Sequence, residues 1–152
     1  MRFLRTTFLV LLSGLLFSSS SSAFQKDSVS YSGDDLHYLG YVMLTGDTSA
    51  WANIQNDDVY YFSKAMFFRA PSVLKYLKND DLYFLGTALI FGLKEELDKI
   101  VLDDFYFLGM AIFEKKESYL DNVRSDDVYY LGKGLIKKDM NYFDQMSTKT
   151  KE

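Results

Sequence analysis

The chain has 152 residues, enough for one domain, and its 48% hydrophobic and 17% aromatic content excludes a disordered polypeptide. Twenty-one acidic residues outnumber 17 basic ones, which leaves no basic face for nucleic acid, since phosphate binding requires one. There is no cysteine, so stability has to come from burial rather than disulfides.

The first 23 residues have the pattern of a cleaved signal peptide. Arg2 and Arg5 form a basic start, Thr6 to Phe17 is an apolar run, and Ser21-Ser22-Ala23 suits a signal-peptidase site. The run has 12 residues, whereas a spanning helix needs about 20. The expected mature chain therefore begins at Phe24, has no membrane span, and is periplasmic or secreted. Arg2 and Arg5 lie in the removed segment, which leaves 15 basic against 21 acidic residues and a net charge near −6.

From residue 34 onward the sequence repeats. Asp-Asp occurs at 34, 57, 80, 103 and 126, a step of 23 residues, and is followed by DDLHYLGYVML, DDVYYFSKAMF, DDLYFLGTALI, DDFYFLGMAIF and DDVYYLGKGLI. Self-similarity at a fixed period marks a repeat architecture. The expected layout is a polar lead over 24–33, five repeats over 34–148 and a polar tail over 149–152. With the first Asp as column 1, apolar residues recur at columns 3, 6 and 10, and column 7 is Gly or Ser. That is a helical stripe. A strand would instead place variable columns 8 and 12 on one face with apolar columns 4, 6 and 10. Apolar columns 17, 18 and 21 predict a second, shorter helix, and Pro71 suits its first turn. Each unit thus predicts helix A of about 11 residues, a turn, and helix B of about eight.

Such short helices are unstable alone and must stack. The expected fold is all-α, an α-solenoid of five tandem helical hairpins. Small residues at columns 7 and 9, such as Gly86 and Ala88, predict close approach between neighbours. Strings such as YFLGTALIFG resemble the first helix of tetratricopeptide and Sel1-like repeats, with a period shortened to 23 residues. The resemblance touches about half of each unit. It implies a right-handed stack of helical hairpins that binds a protein or peptide on its inner face.

The aspartates Asp34, Asp57, Asp80, Asp103 and Asp126 are expected to be structural helix caps, since an N-cap carboxylate accepts an orphan backbone N–H and suits the helix dipole. A metal site is disfavoured, because pairs about 9–10 Å apart cannot share one ion. His37, the only histidine, stands in a column otherwise filled by tyrosine, as terminal repeats often vary. Trp51 falls in the leucine column of helix B and is assigned to the core. The acids recur with the repeat and no single departure marks a catalytic pair, so no catalytic residue and no cofactor is assigned.

Column 5 holds Tyr38, Tyr61, Phe84, Phe107 and Tyr130, flanked by Lys64, Lys133, Phe68 and Phe91. An exposed aromatic ladder there would serve recognition; the alternative is that helix B or a neighbour covers it. The leading functional expectation is a non-catalytic protein–protein interaction module, whether adaptor, assembly factor or immunity-type inhibitor. The alternative is a binder of envelope polysaccharide or peptidoglycan that stacks sugars on the ladder, with weak hydrolase activity from the Asp pairs.

Overall fold

A computed structural model describes residues 31–146. The segment expected to be a signal peptide, and most of the lead and tail, lie outside the described residues. Every regular element among those described is helical. Five long helices begin the repeats: α1 (Gly33–Thr45), α2 (Asp57–Phe68), α4 (Asp80–Phe91), α5 (Asp103–Glu114) and α6 (Asp126–Lys137). They are in register with the Asp pairs, as the periodicity predicts.

The second half of each unit is tighter than expected. It is a six-residue 3-10 segment in four repeats: η1 (Thr48–Asn53), η2 (Lys94–Lys99), η3 (Glu117–Asn122) and η4 (Met140–Gln145). Only repeat 2 turns here as α-helix, α3 (Pro71–Leu74), with its proline in the first turn. Apolar side chains at columns 18 and 21 are three apart, the repeat of a 3-10 turn, and pieces this short are where that geometry is used. Column 13 ends each long helix in the left-handed conformation. Gly46 and Gly92 take it without a Cβ penalty, whereas Arg69, Lys115 and Lys138 adopt it at φ of 50°, 54° and 55°.

The column-2 aspartates set the direction of the helices. Asp81 accepts the backbone N–H groups of Val101 at 2.8 Å and Leu102 at 2.9 Å. Asp104 does the same for Arg124 and Ser125. Asp35 accepts from Gln55 and Asn56, and Asp58 from Lys78. Each carboxylate at one helix start therefore grips the loop that enters the next helix. Successive N-termini lie side by side, and the five long helices run parallel. Aligned dipoles repel laterally, and the acids at the starts together with the cations at column 13 offset this.

Each repeat packs on the next, as expected of stacked repeats, but the two ends of the stack also meet. α1 packs against α2 and also against α6, and η4 packs against α1. The contacts α1–α2–α4–α5–α6–α1 form a closed circuit around a common interior. The open stack expected from the sequence is thus closed into a ring here. Columns 3 and 6 fill the interior: Leu36, Val59, Leu82, Phe105 and Val128 at one level, Leu39, Phe62, Leu85, Leu108 and Leu131 at the next, all buried.

The two mouths of the ring differ. At the N-terminal end Tyr31 enters the interior, 7% exposed, with its ring 5.6 Å from that of Phe105 in repeat 4. The lead, expected to be polar and separate, thus contributes a core residue. Burial pushes the Tyr31 phenol well above its ordinary range, and the charges of Asp58 and Asp81 act in the same direction. At the C-terminal end no described residue enters in the same way, and a cavity of about 250 Å³ remains between the helices.

Candidate functional site

The seams between repeats are built from one contact. Column 18 of each repeat inserts into column 7 of the next, where the residue is small. A Cβ on Gly86 would meet Leu74 at 2.6 Å, one on Gly109 would meet Leu97 at 2.7 Å, and one on Gly132 would meet Leu120 at 2.6 Å. The small columns therefore admit a side chain of the preceding repeat, and glycine is used because even one methyl group would displace it. At the first seam the pair is different in kind. Trp51 donates its Nε1–H to the hydroxyl of buried Ser63 at 2.8 Å, so Trp51 both packs and hydrogen-bonds.

At the closing seam Phe143 takes the leucine position and packs on Gly40, whose Cβ would meet the ring at 2.6 Å. Its greater bulk is accommodated within its own repeat by Gly134, where three other repeats have alanine. His37 Nδ1 lies 3.1 Å from the Phe143 carbonyl oxygen, which accepts its N–H. The sequence explanation for His37, a first repeat without a neighbour, is corrected. Repeat 5 is its neighbour.

The caps are also corrected. The N-cap side chains are Ser32, Asn56, Asn79 and Ser125, each accepting a backbone N–H three residues on. Leu102 holds that position in repeat 4 without a side-chain bond. Asp57, Asp80, Asp103 and Asp126 are the first residues of their helices and Asp34 lies in the first turn of α1. There they suit the dipole without capping it. Asp57 and Asp103 also face Lys78 and Arg124 at 3.6 and 4.0 Å. The capping signal was present one residue earlier, in Asn56, Asn79 and Ser125.

The column-5 aromatics Tyr38, Tyr61, Phe84, Phe107 and Tyr130 are all half-buried. Each lies edge-on to the column-4 ring beside it, at centroid distances from 5.2 to 5.7 Å in every repeat, as in Tyr106–Phe107 at 5.2 Å. Tyr61 also packs on Tyr76, and the Lys99 ammonium lies over Phe84. Among the described residues no column-5 ring stacks on the next, so the rings make five separate pairs around the outside rather than a ladder. Lys64 lies over the rings of Tyr60 and Trp51. Lys133 lies over Tyr129 and pairs with Glu117. Burial, and then the adjacent Lys137, hold its ammonium below the usual lysine range.

Exposed apolar surface is unevenly shared. The exposed large hydrophobic residues are Phe68, Tyr76, Tyr83, Phe91, Leu93 and Val101, all in repeats 2 and 3. Column 12 shows the contrast best. Phe68 and Phe91 are 59% and 57% exposed. The same column in repeats 4 and 5 holds Glu114 and Lys137, which pair with Lys94 and Glu117. Glu114 also accepts from the Tyr119 hydroxyl, and its carboxyl is held below the usual range by the Lys94 and then the Tyr119 hydrogen bond. The sequence marks Phe68 and Phe91 only as flanking residues; among the described residues their repeats alone carry exposed large apolar side chains. No protein-family profile, curated protein or solved structure matches this chain.

Proposed function

We propose that the protein is an exported, non-catalytic interaction module that docks another protein on the outer face of repeats 2 and 3. The observation that carries this reading is the confinement, among the described residues, of exposed large apolar side chains to residues 68–101. Scattered single apolar residues need no explanation, but concentration in one sector marks an interaction surface. Trp51, Phe67 and Phe68 extend the sector toward repeat 1, with centroids 5.5 and 5.6 Å from Trp51. Rigid aromatics of this kind supply binding energy at low entropic cost. The basic start and short apolar run at residues 2–17 support export, and the likeness to tetratricopeptide and Sel1-like helices supports protein binding. We place the array as a closed relative of such solenoids, with the outer face in the role of the docking surface because the buried side chains of columns 3 and 6 leave the interior no room for a protein segment.

The test uses Phe68→Glu combined with Phe91→Glu. Both positions are exposed, so helicity and melting temperature should stay near wild type. Partner capture from envelope extract should fall by about thirtyfold or more in affinity, the scale of a hot-spot loss. Equal recovery of the same proteins by both forms would end the proposal. Sedimentation with cell-wall polymer, unchanged by the double substitution, would favour the polysaccharide reading instead.

A further inference from the structure

The interior of the ring is sealed at one end and open at the other. Below Tyr31 the residual space between columns 3 and 6 is about 10 Å³, too small for any ligand. At the C-terminal end about 250 Å³ remain. A dry apolar cavity of about 150 Å³ already takes up benzene, so this one has room for a longer hydrocarbon. Apart from Lys138 its wall is apolar, formed by the column-6 side chains as a floor and by Met43, Met66, Leu89, Ile112 and Leu135 at column 10. All five column-10 residues are half-buried although they face the interior, so each presents apolar surface that an occupant would remove from water.

Among the described residues Lys138 is the single ionisable residue lining the cavity. Arg69 and Lys115 hold the same column-13 position at the ends of α2 and α5, also exposed. Among the described residues none of these three cations is in an ion pair. The acids nearest in sequence are engaged elsewhere: Glu114 with Lys94 and Tyr119, Asp47 with Ser49, and Asp139 with the Asn141 backbone. The first and last described residues, Tyr31 and Met146, are both buried.

From the cavity, its apolar wall and the unpaired cation that lines it, we infer that the open mouth binds one free single-chain amphiphile with an anionic head. The hydrocarbon enters the axis of the ring and the head, a carboxylate of the fatty-acid type, rests against Lys138. This site is separate from the outer face of repeats 2 and 3.

Titration of the full chain with straight-chain carboxylates below their micellar concentrations tests it. Affinity should rise about threefold to fourfold per added methylene and then level off once the cavity is full. Dodecanoate should bind at least about tenfold more tightly than dodecyltrimethylammonium, the scale of one charge-assisted contact. Lys138→Gln should remove that preference while leaving dodecanol binding unchanged. Leu89→Trp fills the cavity and should abolish binding with helicity retained; Met66→Phe is the milder filling variant should the first fail to fold. A dodecanoate dissociation constant weaker than about 1 mM would overturn the inference. So would equal binding of the cationic analogue, full binding by a folded filling variant, or binding to anionic vesicles with none to free dodecanoate.

Discussion

The three inner seams and the closing seam use the same two columns with different side chains. Between repeats 2, 3, 4 and 5 a leucine enters beside a glycine. Between repeats 5 and 1 a phenylalanine does, and the repeat that supplies it gives up the column-9 methyl group that its equivalents retain. The inner seams join neighbours in sequence, whereas the closing seam joins residues more than 100 apart, as the His37–Phe143 contact shows. Closing a long loop costs chain entropy that grows with the logarithm of its length, and a larger buried ring offsets more of it. The difference teaches that closure is written into the sequence as a matched local change, a phenylalanine and a glycine in one repeat.

The hardest test of this comparison is Phe143→Ala. The residue is 0% exposed, and removing a buried phenylalanine should cost about 3–5 kcal/mol in chemical unfolding. Leu97→Ala at an inner seam should cost about 2–5 kcal/mol. A Phe143→Ala cost below about 1 kcal/mol, within the range of surface substitutions, would mean that the ends do not meet in solution.

Gly134→Ala comes next. Its Cβ would lie 2.1 Å from the Phe143 ring, so overpacking should cost about 1–3 kcal/mol. Adding Phe143→Leu restores the Ala–Leu combination of repeats 2, 3 and 4 and should recover part of that loss, a coupling of about 0.5–3 kcal/mol. Strictly additive effects would separate the two columns and remove the matched-change argument.

At the first seam, Ser63→Gly leaves the Trp51 Nε1–H without its acceptor and should cost about 1–2 kcal/mol. Combining it with Trp51→Leu recreates the pair used at the inner seams, so the double variant should be more stable than Ser63→Gly alone. Thermal melts in one buffer decide this.

The smallest effect concerns the plugged mouth. The Tyr31 hydroxyl has no hydrogen-bond partner among the described residues, so Tyr31→Phe should raise stability by about 1 kcal/mol at neutral pH. Burial raises the folded-state pKa of this phenol. Its contribution is therefore complete below the unfolded value of about 10 and is lost as pH rises beyond it, because phenolate cannot form inside the ring. Tyr31→Phe should abolish that part of the alkaline loss of stability. An unchanged alkaline profile would show that Tyr31 does not enter the interior.

Helix register, the buried stripe and the small columns were legible from periodicity, since column spacing fixes which side of a helix each residue occupies. The roles of the two aspartates were not. One column-2 side chain, Asp81, accepts N–H groups from residues 20 and 21 positions later, a bond no local rule reaches. Column 5 was legible as a line of aromatic residues but not as separate pairs. Whether Tyr61 meets Phe84 or Tyr60 depends on the distance between helices, which spacing along the chain does not contain.

The sequence by itself determined that five equivalent helices form, which face each buries and where each stops, because these follow from backbone hydrogen bonding and side-chain periodicity within one repeat. Tertiary structure alone decided that the fifth repeat meets the first, that Tyr31 fills one mouth, and that the other remains open. Those outcomes depend on the small rotation between successive repeats. A rotation summed over five units is either short of a full turn or completes it, and only the packing of all five sets that sum.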